Sequence, residues 1–171
     1  MTHIRPALPS DSPALAKVQV DSYRTAYRGI FPDSYLAQFS YEEQAQDWRN
    51  LFDTNPEDIL LVAESTDGQI IGYLLARAQP DIHPGYDSEI VALHVLKSHQ
   101  RQGTGRLLLK KAVELLQQRG CQSAMLWTLK ANPIRRWYRN LGGKHIANKR
   151  FQVEDREIEE IAFGWDDIGK L

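Results

Sequence analysis

The stretch from Gly103 to Arg119 constrains the fold more than any other part of the sequence. Leu108, Leu109, Ala112, Val113, Leu115 and Leu116 recur at helical spacing and make one broad apolar face. Gly120 follows where a helix-ending glycine belongs. A helix with such a face must be buried against something apolar. Short apolar runs stand on both sides of it: Glu89-Ile90-Val91-Ala92-Leu93-His94-Val95 before, and Ser123 to Leu129 after. A strand, a long amphipathic helix and a second strand place this helix on a sheet.

The rest of the chain extends the same pattern. His3 to Leu8 reads as a first or edge strand, because Pro6 removes a ladder donor. Ser10-Asp11-Ser12-Pro13 is a helix start, followed by Ala14, Leu15, Val18, Ser22 and Ala26, and closed by Gly29 and Pro32. Ser40-Tyr41-Glu42-Glu43 fits a capping box and opens a second helix through Phe52. Two apolar runs, 59–63 and 70–76, flank the hairpin signal Asp67-Gly68. A loop is expected over residues 80–87. Residues 133–141 form a helix, Gly142-Gly143 a break, and 145–153 and 157–165 two last strands. The order β α α β β β α β α β β gives an α/β (α+β) fold: one domain over residues 1–171, with about seven strands flanked by four helices.

Composition narrows the function classes. The chain has 171 residues, 21 Lys+Arg against 22 Asp+Glu, and no basic excess of the kind a nucleic-acid protein carries. No apolar run approaches the roughly 18 residues of a membrane span. The first residues, MTHIRPALPSDS, lack a signal-peptide core. The lone Cys121 reads as a small buried hydrophobe. The five histidines show no metal-ligand spacing, so no metal is expected. A cytoplasmic protein with no nucleic-acid or membrane partner is expected.

The segment carrying chemistry is Gln100-Arg101-Gln102-Gly103-Thr104-Gly105-Arg106, at the start of the long helix. The first N–H groups of a helix lack internal acceptors, and the macrodipole puts partial positive charge there. Gly103 and Gly105 clear side chains from the backbone, and Arg101 and Arg106 add charge. These features make a phosphate cradle; a tight turn alone also accounts for the glycines. The segment lacks the Lys-Ser/Thr of a P-loop and the third glycine of the dinucleotide fingerprint.

Gln100-x-x-Gly103-x-Gly105 resembles the acetyl-CoA signature of the GNAT acetyltransferase superfamily. The strand before it, Leu126 to Asn132 after it, and Trp137-Tyr138-Arg139-Asn140-Leu141-Gly142 are similar to that family too, so the resemblance covers the whole chain. Two positions depart from the usual pattern. Gln100 is the less common first residue, and Gly143 stands where an aromatic often follows the glycine, which implies looser packing there.

The resemblance implies a splayed parallel strand pair that holds acetyl-CoA as co-substrate. Gln100, Arg101, Gln102, Gly103, Thr104, Gly105 and Arg106 would take the pyrophosphate. The backbone of Leu93, His94 and Val95 would take the pantetheine arm. Asn132 would lie near the cofactor, although Asn before Pro133 is also an ordinary helix cap. Tyr138 would be the acid that protonates the leaving thiolate, or a ring packed on the sheet. Glu89, at the head of its strand, would assist removal of the amine proton through water, or be a solvated strand-end carboxylate. Tyr27, Arg28 and Phe31, with Tyr23 and Tyr35, would face residues 150–157 and line the acceptor site. The implied activity is acetyl transfer to a primary amine of a small molecule, polyamine or protein. The alternative is a non-catalytic acyl-CoA-binding module. The family also implies a homodimer formed through late strands.

Overall fold

Alternating apolar residues draw seven strands into one sheet, with helices on both faces. The computed structural model describes residues 2–171, apart from the side chains of residues 80–82. The strands are β1 (His3–Pro6), β2 (Ile59–Glu64), β3 (Ile70–His83), β4 (Tyr86–Val95), β5 (Ala124–Leu129), β6 (Lys144–Val153) and β7 (Arg156–Trp165). The helices are α1 (Ser12–Ala26), α2 (Asp33–Ala37), α3 (Tyr41–Thr54), α4 (Thr104–Gln118) and α5 (Arg135–Asn140). The sheet order is β1-β2-β3-β4-β5-β7-β6, and every neighbouring pair is antiparallel except the parallel pair β4–β5. Pro6 lies on β1, at one edge of the sheet, where its missing N–H is tolerated.

The two faces have separate cores. Leu108, Leu109, Ala112 and Leu116 of α4 pack with Leu61, Leu74, Ile90, Leu126 and Phe163 of the strands. Each fully buried leucine there contributes about 1.5–3 kcal/mol. On the opposite face Leu15, Val18, Ala45 and Trp48 of α1 and α3 cover Val62, Tyr73 and Leu75. Gly120 ends α4 at φ +88, with Cys121 N donating to Leu116 O. Cys121 is buried in the α4-side core. Ser40 Oγ accepts from Glu43 N, as the capping box requires. Among the described residues no helix is long and apolar enough to cross a membrane.

Four expectations need correction. There are five helices, because α2 fills the segment after Pro32. β3 and β4 run on into residues 80–87, leaving only a turn at Pro84 and Gly85. Glu89 is consequently the fourth residue of β4, not its head. Packing at Gly143 is tight: an added Cβ would lie 2.7 Å from Trp165 and 2.9 Å from Tyr138 O. The Trp165 indole takes the space an aromatic would use, and its Nε1 donates to Leu141 O at 2.9 Å.

Candidate active site

β4 and β5 are tied at one end and open at the other. Asp87 carboxylate oxygens accept from Gln122 N, Ser123 N and Ser123 Oγ at 2.8–2.9 Å. Ser88 Oγ donates to Ser123 O at 2.6 Å. Just beyond, Glu89 pairs with Met125, and this is the only register pair between the two strands. β5 goes on pairing with β7, and β4 with β3. Beyond Glu89 the β5-facing edge of β4 therefore has no strand partner along Leu93, His94 and Val95, and Val95 O is met by the Gln100 side chain instead. Backbone groups on such an edge take a partner from whatever fills the gap.

The open end leads to the start of α4. Arg101 (φ +62) and Gly103 (φ +87) both adopt left-handed conformations, so the loop coils before the helix begins. Gln100 Nε2 donates to Val95 O at 2.9 Å and closes the loop onto β4. Gln102 Nε2 donates to Ser98 O. Thr104 is buried at the first helical position. Among the described residues, none of the backbone N–H groups of residues 101–106 donates to a protein acceptor. A Cβ at Gly105 would meet nothing nearer than Trp137 at 3.9 Å, so the surface above these donors is open. Arg101 and Arg106 are exposed at its rim. A row of free N–H donors on a helix dipole fits a phosphate or pyrophosphate.

A bulge decides which way Glu89 points. Leu75 pairs with Ala92 and Ala76 with Ile90, so Val91 is the extra residue of β4. Strict alternation would put Glu89 and His94 on opposite faces. The bulge puts both on the α1 face, Glu89 opposite Arg77 and His94 opposite Tyr73. Arg77 is already held by Asp58, at 2.6 and 2.9 Å. Among the described residues no hydrogen bond or ion pair involves the half-buried Glu89 carboxylate. Burial raises its pKa, against the opposing charges of Arg77 and Lys149.

His94 is ringed by Tyr23, Tyr27 and Tyr73, with centroids 5.2, 6.2 and 5.4 Å away. Desolvation by these rings lowers its pKa to about 4, so the imidazole is neutral near pH 7. Tyr138 lies on α5 with its ring buried near Phe163 and Trp165. Among the described residues no hydrogen bond involves its hydroxyl. Burial pushes its pKa well above the ordinary tyrosine range. The Tyr27 phenol is also pushed up, by burial first and then by the neighbouring charges of Tyr23, Tyr138 and Glu160. Tyr27 caps the end of α1 and Tyr138 lies on α5, elements on opposite faces of the sheet.

The remaining expected residues divide. Phe31 is 8% exposed and joins Tyr23, Tyr27 and Tyr35 in a cluster with Leu36, Leu129, Val153 and Ile158. Arg28 is exposed and, with Arg24, Asp33, Leu36 and Ala37, lines a cavity of about 580 Å³. Asn132 Oδ1 accepts from Ile134 N at 3.1 Å, which is the helix-cap arrangement. Three residues not singled out in the sequence share the α1 face with Glu89: Trp127, Lys149 and Glu160. Their signal was present as alternation, Met125-x-Trp127 and Ile158-x-Glu160, but nothing local showed that those strands flank the opening.

The comparisons agree with this geometry. The Acetyltransferase (GNAT) family profile matches residues 20–142. The uncharacterized N-acetyltransferase YuaI of Bacillus subtilis strain 168 is 32% identical over all of this chain and 96% of its own length. The crystal structure of PaiA N-acetyltransferase from Thermoplasma acidophilum in complex with coenzyme A is 18% identical, with a TM-score of 0.67, covering 94% of this chain and 98% of that one. The structure of YncA from Salmonella typhimurium with its cofactor acetyl-CoA has a TM-score of 0.70 at 17% identity, covering 96% of this chain and 93% of the other. A sheet that opens between β4 and β5 beside a bare helix start is how this chain presents its membership: it belongs to the acetyltransferase (GNAT) family.

Proposed function

We propose that the protein transfers an acetyl group from acetyl-CoA to a primary amine, directly, with both bound in one ternary complex. The observation that carries this is the row of unpartnered N–H groups at residues 101–106, at the head of the unpaired β4 edge. Acetyl-CoA supplies the acetyl group as a thioester. The cradle N–H groups, with Arg101 and Arg106, bind its pyrophosphate. The β4 edge from Leu93 to Val95, which has no strand partner on the β5 side, binds the amides of the pantetheine arm as a strand would.

The acceptor reaches the thioester from the α1 face, where Glu89 stands. A primary ammonium has a reference pKa of about 10 and a glutamate about 4.3, so direct proton transfer is strongly uphill. Glu89 instead holds the ammonium and orders the water that carries its proton away. The amine nitrogen then bonds to the acetyl carbon, the C–S bond breaks, the thiolate leaves with a proton from Tyr138, and Tyr138 regains a proton, through water, from the acetylated nitrogen. The raised pKa of Tyr138 keeps that proton in place at neutral pH. It also makes the transfer uphill to a thiol of reference pKa about 8.5, so the step relies on proximity.

Free-thiol release from acetyl-CoA, read across a panel of primary amines, tests this. Amine-dependent release with an acetylated amine as product is expected. Tight acetyl-CoA binding with no release for any amine contradicts it and leaves only a binding module.

A further inference from the structure

Lys149 reaches inward across the sheet. It lies on β6, the outermost strand, in register with Glu160 on β7 and, through it, with Leu129 on β5. Its Nζ nevertheless lies 4.2 Å from the ring centroid of Trp127 on β5, and 2.9 Å from Glu160 Oε2. The side chain has folded across β7 and set an ammonium on an aromatic face beside the opening. Trp127 is two residues from Met125, the register partner of Glu89. Alternate residues share a face, so Trp127 lies on the same face as Glu89, one strand across and about 7 Å further along. Lys149 is one of the charges that Glu89 feels.

A tryptophan face with a carboxylate beside it is a seat for a primary alkylammonium. Here a lysine side chain fills it. Lys149 is 49% exposed at its side chain, and ion pairs that exposed hold weakly. An incoming cation therefore displaces it easily. Glu160 pairs with Lys149 and Arg77 is held by Asp58, which leaves Glu89 without an ion pair among the described residues and gives the site room for a second positive charge.

Resting on the acetyl-transfer reading, we infer that the acceptor is an aliphatic diamine. One nitrogen reacts beside Glu89, while the other, protonated, takes the place of Lys149 on Trp127 and Glu160. The reacting nitrogen gives one proton to water and bonds to the acetyl carbon as the C–S bond breaks; Tyr138 protonates the thiolate and regains its proton, through water, from the acetylated nitrogen. Lys149 is then a specificity-determining residue that competes for the second ammonium. The two positions, about 5 Å across the strands and about 7 Å along them, lie within reach of a short aliphatic diamine held by the side chains at each end.

The test compares α,ω-diaminobutane with n-butylamine in the thiol-release assay. The parent should prefer the diamine on the order of tenfold in kcat/KM. Lys149→Met should widen the preference, through a lower KM for the diamine. Trp127→Leu and Glu160→Gln should each narrow it toward unity. Glu160→Gln changes a surface-accessible side chain and carries the test if Trp127→Leu does not fold. Equal use of both amines by the parent and by Lys149→Met overturns the inference and leaves the acetyl-transfer reading standing. No release with either amine, or with any other, overturns both.

Discussion

Glu89 and Met125 form the single register pair between β4 and β5, directly above the Asp87–Ser123 tie. The tie fixes where the strands stop separating, and the pair marks where they begin. Everything the proposed chemistry needs lies within reach of that point. Glu89 is at it, the unpaired β4 edge runs from it, and the cradle follows β4 in the chain.

Tyr138→Phe deletes one hydroxyl and keeps a buried ring. If that hydroxyl protonates the leaving thiolate, turnover should fall on the order of 10²–10⁴-fold. Acetyl-CoA affinity and melting temperature should hardly change, because no hydrogen bond involves the hydroxyl among the described residues. Steady-state kinetics with calorimetry checks this; unchanged turnover, with chemistry rate-limiting, assigns Tyr138 to packing.

Glu89→Gln keeps the shape and removes the charge. kcat/KM should drop most near neutral pH and much less at high pH, where bulk solvent already supplies free amine. A rise in KM at constant kcat would instead make Glu89 a substrate anchor. A pH–rate profile on any working amine separates the two, and a variant matching the parent throughout makes Glu89 a bystander.

His94 predicts a pH dependence of stability. Its folded pKa of about 4 lies below the unfolded reference of 6.5, so the unfolded state binds the proton more tightly. The stability is fully present above pH 6.5 and falls as the pH drops from there toward 4. The loss is on the order of 3 kcal/mol at most. The lowered carboxylates, such as Asp11 and Asp87, lose their contribution only at lower pH. Urea unfolding at several pH values between 7.5 and 4.5 should show the slope in the parent. His94→Gln should flatten it; an equal slope in the variant places the protonation elsewhere.

Much of this was legible in local pattern. The α4 face, the Asp67-Gly68 hairpin, the Ser40 cap and the Gly103 turn are each written within a few neighbouring residues, and each formed where its signal stands. What was not legible depends on partners distant in sequence. α2 is five residues long and has no period to read. The extension of β3 and β4 past Ala76 relies on the Asp87–Ser123 tie, whose partners are 36 residues apart. The bulge at Val91 looks like plain alternation until β3 is laid beside it, and that bulge alone turns Glu89 toward His94. The inward reach of Lys149 is set by Trp127, on another strand.

The central claim is that the α4 cradle and the open β4 edge hold acetyl-CoA. The most direct measurement is calorimetric titration of acetyl-CoA into the parent and into Gly105→Glu. Gly105 has room for a side chain, so the variant should fold and melt like the parent. Its carboxylate would lie in the phosphate position and repel it. The account predicts one acetyl-CoA bound per parent chain and affinity lowered at least tenfold in the variant. Equal affinity in the two proteins would contradict it.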